Sequence, residues 1–430
     1  MKKNLYATVI LATLMQTPII ANAAGPLVNS TVFYTDDIAH VTAVTKVFGN
    51  SQKITEAIVE FNEPILASSV TADSFSVNER NISNVYVSDS VATDAEPKDG
   101  QYVHIMLNPA DEAAIVFAAQ VDIAAQIVVT QNQPVQAVSG QKVAAPEKPL
   151  INTRQTNLLV DDFLTMRFKD PETGLLLDYN LYIPKNLDPG AKYPLVLFMH
   201  DAGVTGTNPR RSLQQGLGAV AFASAGDQAK HPSFVLAPQY PVAIANDVSQ
   251  NSEYPDITVR LIEQLTQDYA IDTNRIYTTG QSGGCMTSIA LNIKYPDLFA
   301  ASLLVAGQWD ASQTAPLAQD NLWVIVSEDD AKAYPGMQAI MEVLAENGAK
   351  ITEDSYDAKW SAAEFEKAIA ATQAKDADNN VYFTHFTAGS VLDEGQEVNP
   401  GSGHVNTWAY AYNIAPLRDW LFTQLKDKAE

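Results

Sequence analysis

Two patterns of apolar residues divide the chain. From about residue 30 to 150, apolar and polar positions alternate over short runs. Ala57, Val59 and Phe61 alternate within Ile54–Phe61, and Val103, Ile105 and Leu107 within Tyr102–Leu107. Ile82–Val87 and Val121–Val129 are further runs, set apart by turn-rich pieces such as Pro97-Lys98-Asp99-Gly100. A period of two predicts strands with one buried face, and many short ones predict a β-sandwich. Gln131–Leu150, rich in Gln, Pro and Ala, reads as the end of this domain and a linker.

From about Leu158 the pattern changes. Phe163–Phe168 and Leu175–Tyr182 flank the turn Asp170-Pro171-Glu172-Thr173-Gly174. Continuous apolar runs then follow at Pro194–Met199, Phe234–Ala237, Arg275–Thr279, Ala300–Ala306 and Leu322–Ser327, with Val381–Phe386 last. Helical periodicity lies between them at Ile257–Tyr269 and Gly336–Asn347, and a final helix is expected around Thr407–Leu425. Strands that are apolar on both faces and joined by helices predict a mostly parallel sheet covered on both sides. The expected architecture is therefore an α/β domain over residues 158–430, preceded by a β domain and linker over 30–150.

The first 23 residues have a different character. Lys2-Lys3 are followed by a short apolar run and by Ala21-Asn22-Ala23, with small residues placed for cleavage before Ala24. This predicts an export signal peptide and a periplasmic or extracellular protein. No cysteine lies near the cleavage site, so a lipid anchor is not expected. The formal net charge is −23, and removing Lys2 and Lys3 makes it more negative. Such a charge excludes nucleic acid and anionic membranes as favoured partners. The single cysteine, Cys285, permits no internal disulfide and reads as a small core residue beneath a turn.

That turn carries the chemistry. Gly280-Gln281-Ser282-Gly283-Gly284 follows a β-type run and precedes a helical one. The spacing G-x-S-x-G between strand and helix is a nucleophile elbow, a sharp turn that exposes a serine Oγ. A serine hydroxyl needs a base, usually His, oriented by a carboxylate. The acids after Leu322–Ser327 are Glu328, Asp329 and Asp330, with Asp330 the first choice and Asp329 in reserve. Among six histidines, His404 follows the last strand in a loop before the final helix, where the base belongs. His385 is second, within a strand. The oxyanion donors would be the N–H of Gly283 and that of Ala202, with Asp201 second to Ala202. Trp309 and Tyr240, at the carboxyl edge of the sheet, either line an acyl or aromatic pocket or pack the edge. Asp376-Ala377-Asp378-Asn379-Asn380 resembles the start of a calcium loop but lacks the required Gly (Val381) and Glu (Thr387). No metal or cofactor is expected.

Tyr193–His200, Val235–Gln239, Ile271–Tyr277, Gly280–Gly284 and Tyr295–Ala300 together resemble the carboxylesterase/phospholipase and polyhydroxybutyrate-depolymerase-like α/β-hydrolases, a group of secreted esterases. The front of the chain resembles the immunoglobulin-like domain that precedes the catalytic domain in one branch of that group. The resemblance implies Ser282 as nucleophile, Asp330 as acid and His404 as base. One departure concerns the oxyanion loop: the group usually has Gly after the strand-ending His, and here that residue is Asp201. Its carboxylate would oppose a developing oxyanion unless it turns away or pairs, and Arg210 or Arg211 are the partners to expect. Another departure is Val326-Ser327 before the acids, where the group often has His-Gly.

The function expected is hydrolysis of small-molecule or polymeric carboxylic esters by a secreted serine esterase. Two alternatives are a serine peptidase of the prolyl-oligopeptidase type and a non-catalytic binding protein on a hydrolase fold. Short acyl, aryl and polymeric esters all remain open, as does the oligomeric state.

Overall fold

In a computed structural model of the chain, the residues described are 35–118, 121–376, 378–393, 395 and 401–426. The expected signal peptide lies outside them. The front domain is built on a long antiparallel hairpin, Ile38–Val47 against Gln52–Ile65, with Ala43 opposite Ala57. Gly100–Leu107 and Ile82–Ser88 extend that sheet, and Phe75–Val77, Val128–Gln131 and Leu150–Ile151 form a second. The alternating residues predicted to point inward do so: Ala57, Val59, Phe61, Val103, Ile105 and Leu107 are all buried between the sheets.

The boundary of this domain differs from expectation. Gln131–Leu150 is not a linker. Val135, Ala137, Val143 and Leu150 are buried in the sandwich core, and Leu150 pairs with Val129. Isolated apolar residues several positions apart anchor a segment whose average composition is polar. Arg154–Asn157 then runs parallel beside Ile38–Val47 before the chain leaves the sandwich. The run Val121–Val129 is also no single strand, since only Val121–Asp122 and Val128–Gln131 pair.

The second domain is a mixed, largely parallel sheet of nine strands. These are β1 (Leu164–Lys169), β2 (Leu176–Tyr182), β3 (Tyr193–Met199), β4 (Phe234–Gln239), β5 (Ile271–Gln281), β6 (Ala301–Val305), β7 (Leu322–Ser327), β8 (Ile351–Tyr356) and β9 (Val381–Phe386). Their order is β1-β2-β4-β3-β5-β6-β7-β9-β8. Only β1 with β2 and β2 with β4 are antiparallel. The major helices are α1 (Tyr254–Asp268), α2 (Gly283–Lys294), α3 (Ala333–Glu346), α4 (Ala362–Gln373), α5 (Ser402–Ala411) and α6 (Ala415–Phe422). Successive residues of β3 serve opposite faces. Leu195, Leu197 and Met199 pack with Ile257, Leu261 and Leu265 of α1, whereas Val196 and Phe198 pack with Trp408, Leu417 and Leu421 of α5 and α6. That double burial explains why the central strands are apolar without alternation.

At the carboxyl end of the chain, the single helix expected over Thr407–Leu425 is two, broken after Ala411, with proline in the first turn of the second. The edge strand β8 alternates buried and exposed positions, and α4 carries a Ser361–Glu364 capping box.

The domains are joined by more than chain continuity. Val47, at the end of the front hairpin, lies in the core cluster that holds Phe198, Trp408 and Tyr412. The turn after it is wedged into the second domain: a Cβ on Gly49 would stand 2.5 Å from the Ala409 oxygen in α5, and one on Gly216 would stand 2.7 Å from the Gly49 oxygen. Nearby, Gln214 Nε2 donates to Gln52 Oε1 at 2.8 Å.

Candidate active site

The carboxyl ends of β3, β5 and β7, with the start of α5, converge on one point. Ser282 joins β5 to α2 with φ 51° and ψ −118°. A positive φ at a non-glycine residue costs on the order of 1–3 kcal/mol and persists only where neighbours enforce it. Here the glycines allow the close approach. A Cβ on Gly284 would fall 1.9 Å from the Met199 oxygen of β3, and one on Gly280 would fall 2.5 Å from the Gly284 carbonyl carbon. The Ser282 N–H donates to the Val305 oxygen of β6 at 3.1 Å, which fixes the turn from the other side.

His404 Nε2 lies 2.8 Å from Ser282 Oγ, and its Nδ1 lies 2.5 Å from Asp330 Oδ2. The other oxygen of Asp330 accepts from the backbone N–H groups of Lys332 and Ala333, at 3.1 and 2.9 Å. Burial opposes ionisation of Asp330. The hydrogen bond of His404, with the two backbone N–H groups, outweighs it and holds the carboxyl below its ordinary range. The residue is therefore an anion that accepts Nδ1–H and leaves the Nε2 lone pair facing the serine hydroxyl.

His404 is not in a loop, as its sequence neighbours suggested, but is the third residue of α5. Gly403 allows this: a Cβ there would stand 2.6 Å from the backbone of Asp329. Asp329 itself accepts the Gly389 N–H at 2.6 Å and braces the following loop. His385 is placed in β9 between Glu328 and Glu353. Neither reserve residue is within the constellation.

Ala202 opens a single 3-10 turn, Ala202–Val204, capped by Asp201. Its N–H is at the first position of the turn, where helical geometry supplies no internal acceptor. A Cβ on Gly283 would lie 3.8 Å from Ala202 N, so the two backbone segments meet beside Ser282. His200 is fully buried, and desolvation holds it neutral against the pull of Asp201. Its Nδ1–H donates to the Asp201 backbone carbonyl oxygen at 2.6 Å and its Nε2 accepts the Tyr240 N–H at 3.0 Å. Both nitrogens are thus spent on holding the β3 loop to the end of β4.

The expected ion pairs of Asp201 are absent. Arg210 bonds Asp161 at 2.8 Å and Arg211 bonds Asp122 at 2.5 Å, both reaching back toward the front of the chain. Asp201 instead accepts from Gly203 N and from Gln281 Nε2, at 2.6 and 2.9 Å. Gln281 was missed by the sequence reading, because it occupies a freely variable position of G-x-S-x-G and nothing in the motif marks its side chain.

Residues 40–144 match the family of esterase Ig-like N-terminal domains, and residues 242–347 match the prolyl oligopeptidase family. The fold superposes on the crystal structure of a thermostable esterase with a TM-score of 0.77 and 28% identity, covering 90% of this chain and 99% of that one. This is an α/β-hydrolase of the esterase kind. Weaker similarity extends to a feruloyl esterase module from Clostridium thermocellum complexed with sinapinate (TM-score 0.40, 15% identity, 59% of this chain and 86% of that one). A Pyrococcus horikoshii acylaminoacyl peptidase gives a TM-score of 0.40 with 14% identity over 71% of this chain and 49% of that one. No curated protein matches the chain in sequence.

Two other residues of this esterase were candidates for a substrate pocket. Tyr240 is fully buried, with its hydroxyl 3.0 Å from Thr258 Oγ1, and belongs to the core beneath β3 and β4. It does not line a substrate pocket, because packing against α1 and its bond to Thr258 turn the ring inward. Trp309 is 7% exposed and packs with Cys285, Met286 and Met337 behind the elbow. Cys285 is buried and desolvation pushes its thiol far above the ordinary range, so it is a packing residue and no nucleophile. No group of three or more His, Cys, Asp or Glu side chains suited to a metal occurs among the described residues.

Proposed function

We propose that this esterase hydrolyses carboxylic esters by covalent catalysis at Ser282. The observation that carries the reading is the unbroken line from Ser282 Oγ through the His404 ring to Asp330, at 2.8 and 2.5 Å. His404 Nε2 takes the serine proton as Oγ attacks the ester carbonyl. Asp330 holds the Nδ1–H tautomer and stabilises the imidazolium that forms. The N–H groups of Gly283 and Ala202 face the developing oxyanion. Collapse of the tetrahedral intermediate expels the alcohol, which receives the proton from His404. Water then attacks the acyl carbonyl as His404 takes its proton, and collapse of the second tetrahedral intermediate releases the acid while His404 returns the proton to Ser282 Oγ.

The match of residues 242–347 to the prolyl oligopeptidase family favours a second reading, cleavage of peptide bonds by the same residues. The two differ in assay. The ester reading predicts turnover of short p-nitrophenyl esters with little or none of aminoacyl anilides, and loss of turnover in Ser282→Ala. Anilide turnover exceeding ester turnover would establish the peptidase reading instead. Export is part of the proposal, on the strength of the N-terminal pattern. Expression with the leader in a bacterial host should yield a mature chain beginning at Ala24, and an uncleaved N-terminus in the cell-associated fraction would refute it.

A further inference from the structure

Asp201 stands next to a proposed oxyanion donor, where a negative charge is unwelcome. An uncompensated carboxylate within a few ångströms of a developing oxyanion raises its energy, most of all in a site that excludes water. Yet among the described residues Asp201 has no ion pair, and Arg210 and Arg211 are both engaged elsewhere. What its side chain does have is two directed hydrogen bonds. Oδ1 takes the Gly203 N–H at 2.6 Å and so closes the turn that starts at Ala202. Oδ2 takes Gln281 Nε2 at 2.9 Å, and Gln281 is the residue immediately before the nucleophile. Gln281 is fully buried, so packing confines where its side chain can reach. Both carboxylate oxygens are thereby directed along the loop and toward β5, and the two halves of the oxyanion site, one on the β3 loop and one on the elbow, are tied by one side chain.

We infer that Asp201 is a positioning residue that sets the Ala202 N–H relative to Ser282 and Gly283 through its bond to Gln281. The inference rests on the ester-hydrolase reading of the site. An oxyanion donor displaced by about 1 Å forfeits much of its stabilisation, and such errors cost up to about a hundredfold in rate. Because the bond acts on the transition state, its loss should appear in kcat and leave KM nearly unchanged.

Two variants separate the link from the charge and from the cap. Serine at 201 still accepts the Gly203 N–H, as serine does at helix N-termini, but is too short to reach Gln281. Asparagine keeps the length, removes the charge and keeps the link once the Gln281 amide turns over. The Gln281 Oε1 is buried with no hydrogen-bond partner among the described residues and is available to accept from the new amide. The experiment is steady-state kinetics on a p-nitrophenyl ester for the unaltered enzyme, Asp201→Ser and Asp201→Asn, together with inhibition by a trifluoromethyl ketone, whose hemiketal oxygen occupies the oxyanion site. The expected result is a kcat about 10- to 100-fold lower in Asp201→Ser with KM within about twofold, and ketone affinity weakened in proportion. Asp201→Asn should stay within about fivefold of the unaltered enzyme. Unchanged kcat and ketone affinity in Asp201→Ser overturn the inference, as does a loss confined to KM. Should Asp201→Ser fail to fold, the Asn variant decides: a fall beyond about fivefold, with ketone affinity unmoved, overturns it. Absence of turnover by the unaltered enzyme overturns the reading of the site as well, which distinguishes the two failures.

Discussion

A single methyl group in the front domain should impair an active site in the other. In Gly49→Ala the added Cβ would stand 2.5 Å from the Ala409 oxygen, 2.9 Å from its Cα and 3.0 Å from its Cβ. Ordinary contact begins near 3.4 Å. About 0.9 Å (3.4 less 2.5) must therefore come from movement of the turn or of α5, an overpacking that costs about 1–3 kcal/mol. Ala409 lies five residues after His404 in the same helix, and a helix moves as a unit. The hydrogen bonds of His404, at 2.8 and 2.5 Å, leave little slack for such a shift. A misplacement near 1 Å gives a fall in kcat of about 10- to 100-fold. The assay is ester turnover and the rate of Ser282 labelling by a fluorophosphonate, with Tm measured alongside. Both rates should fall together. A lowered Tm with both rates unchanged would refute the reasoning, because the turn would then have yielded without moving α5.

Three further outcomes follow from the same geometry. Asp330→Asn keeps the backbone hydrogen bonds but places an N–H donor against His404, favouring the tautomer whose Nε2 is protonated; kcat should fall about 10³- to 10⁴-fold with KM little changed, and a loss under about tenfold would contradict the assigned role. Gly284→Ala puts a Cβ 1.9 Å from the Met199 oxygen, a backbone atom with no room to withdraw; it should abolish ester turnover, and a variant with unchanged turnover would show that β3 and the elbow are less tightly packed. Asp170 is held well below the usual carboxylate range by the Arg260 guanidinium first, with burial opposing and Thr173 adding to the effect. A lowered folded value means stability that is present above the unfolded value of about 3.9 and lost as pH falls below it. Tm of the unaltered enzyme should therefore drop steeply below about pH 4, and Arg260→Met should lower Tm at neutral pH and flatten that drop. An equal slope in both proteins would remove Asp170 as a cause.

The central strands could be read from sequence because burial on both faces leaves an uninterrupted apolar run, as in Pro194–Met199 and Leu322–Ser327. The proposed triad could be read because a serine elbow, an acid after a strand and a late histidine follow a fixed order along an open sheet. Contacts between distant segments left no such trace. Val143 and Leu150 anchor a segment of polar composition because each meets apolar partners far away in the chain. The bond from Asp201 to Gln281 spans eighty residues, and the true partners of Arg210 and Arg211 lie 49 and 89 residues before them. His404 looked like a loop residue because the glycines around it weaken helical propensity. Gly403 nevertheless lets a helix start against the Asp329 backbone, where a Cβ would stand 2.6 Å away.

The central claim is an acyl group carried on Ser282. Quenching the enzyme in acid during turnover of a p-nitrophenyl ester, followed by peptide mass spectrometry, measures it directly. The account predicts the acyl mass on the peptide containing Ser282, with neither adduct nor turnover in Ser282→Ala. An acyl group found on another residue, or turnover that survives the loss of this serine, would contradict it.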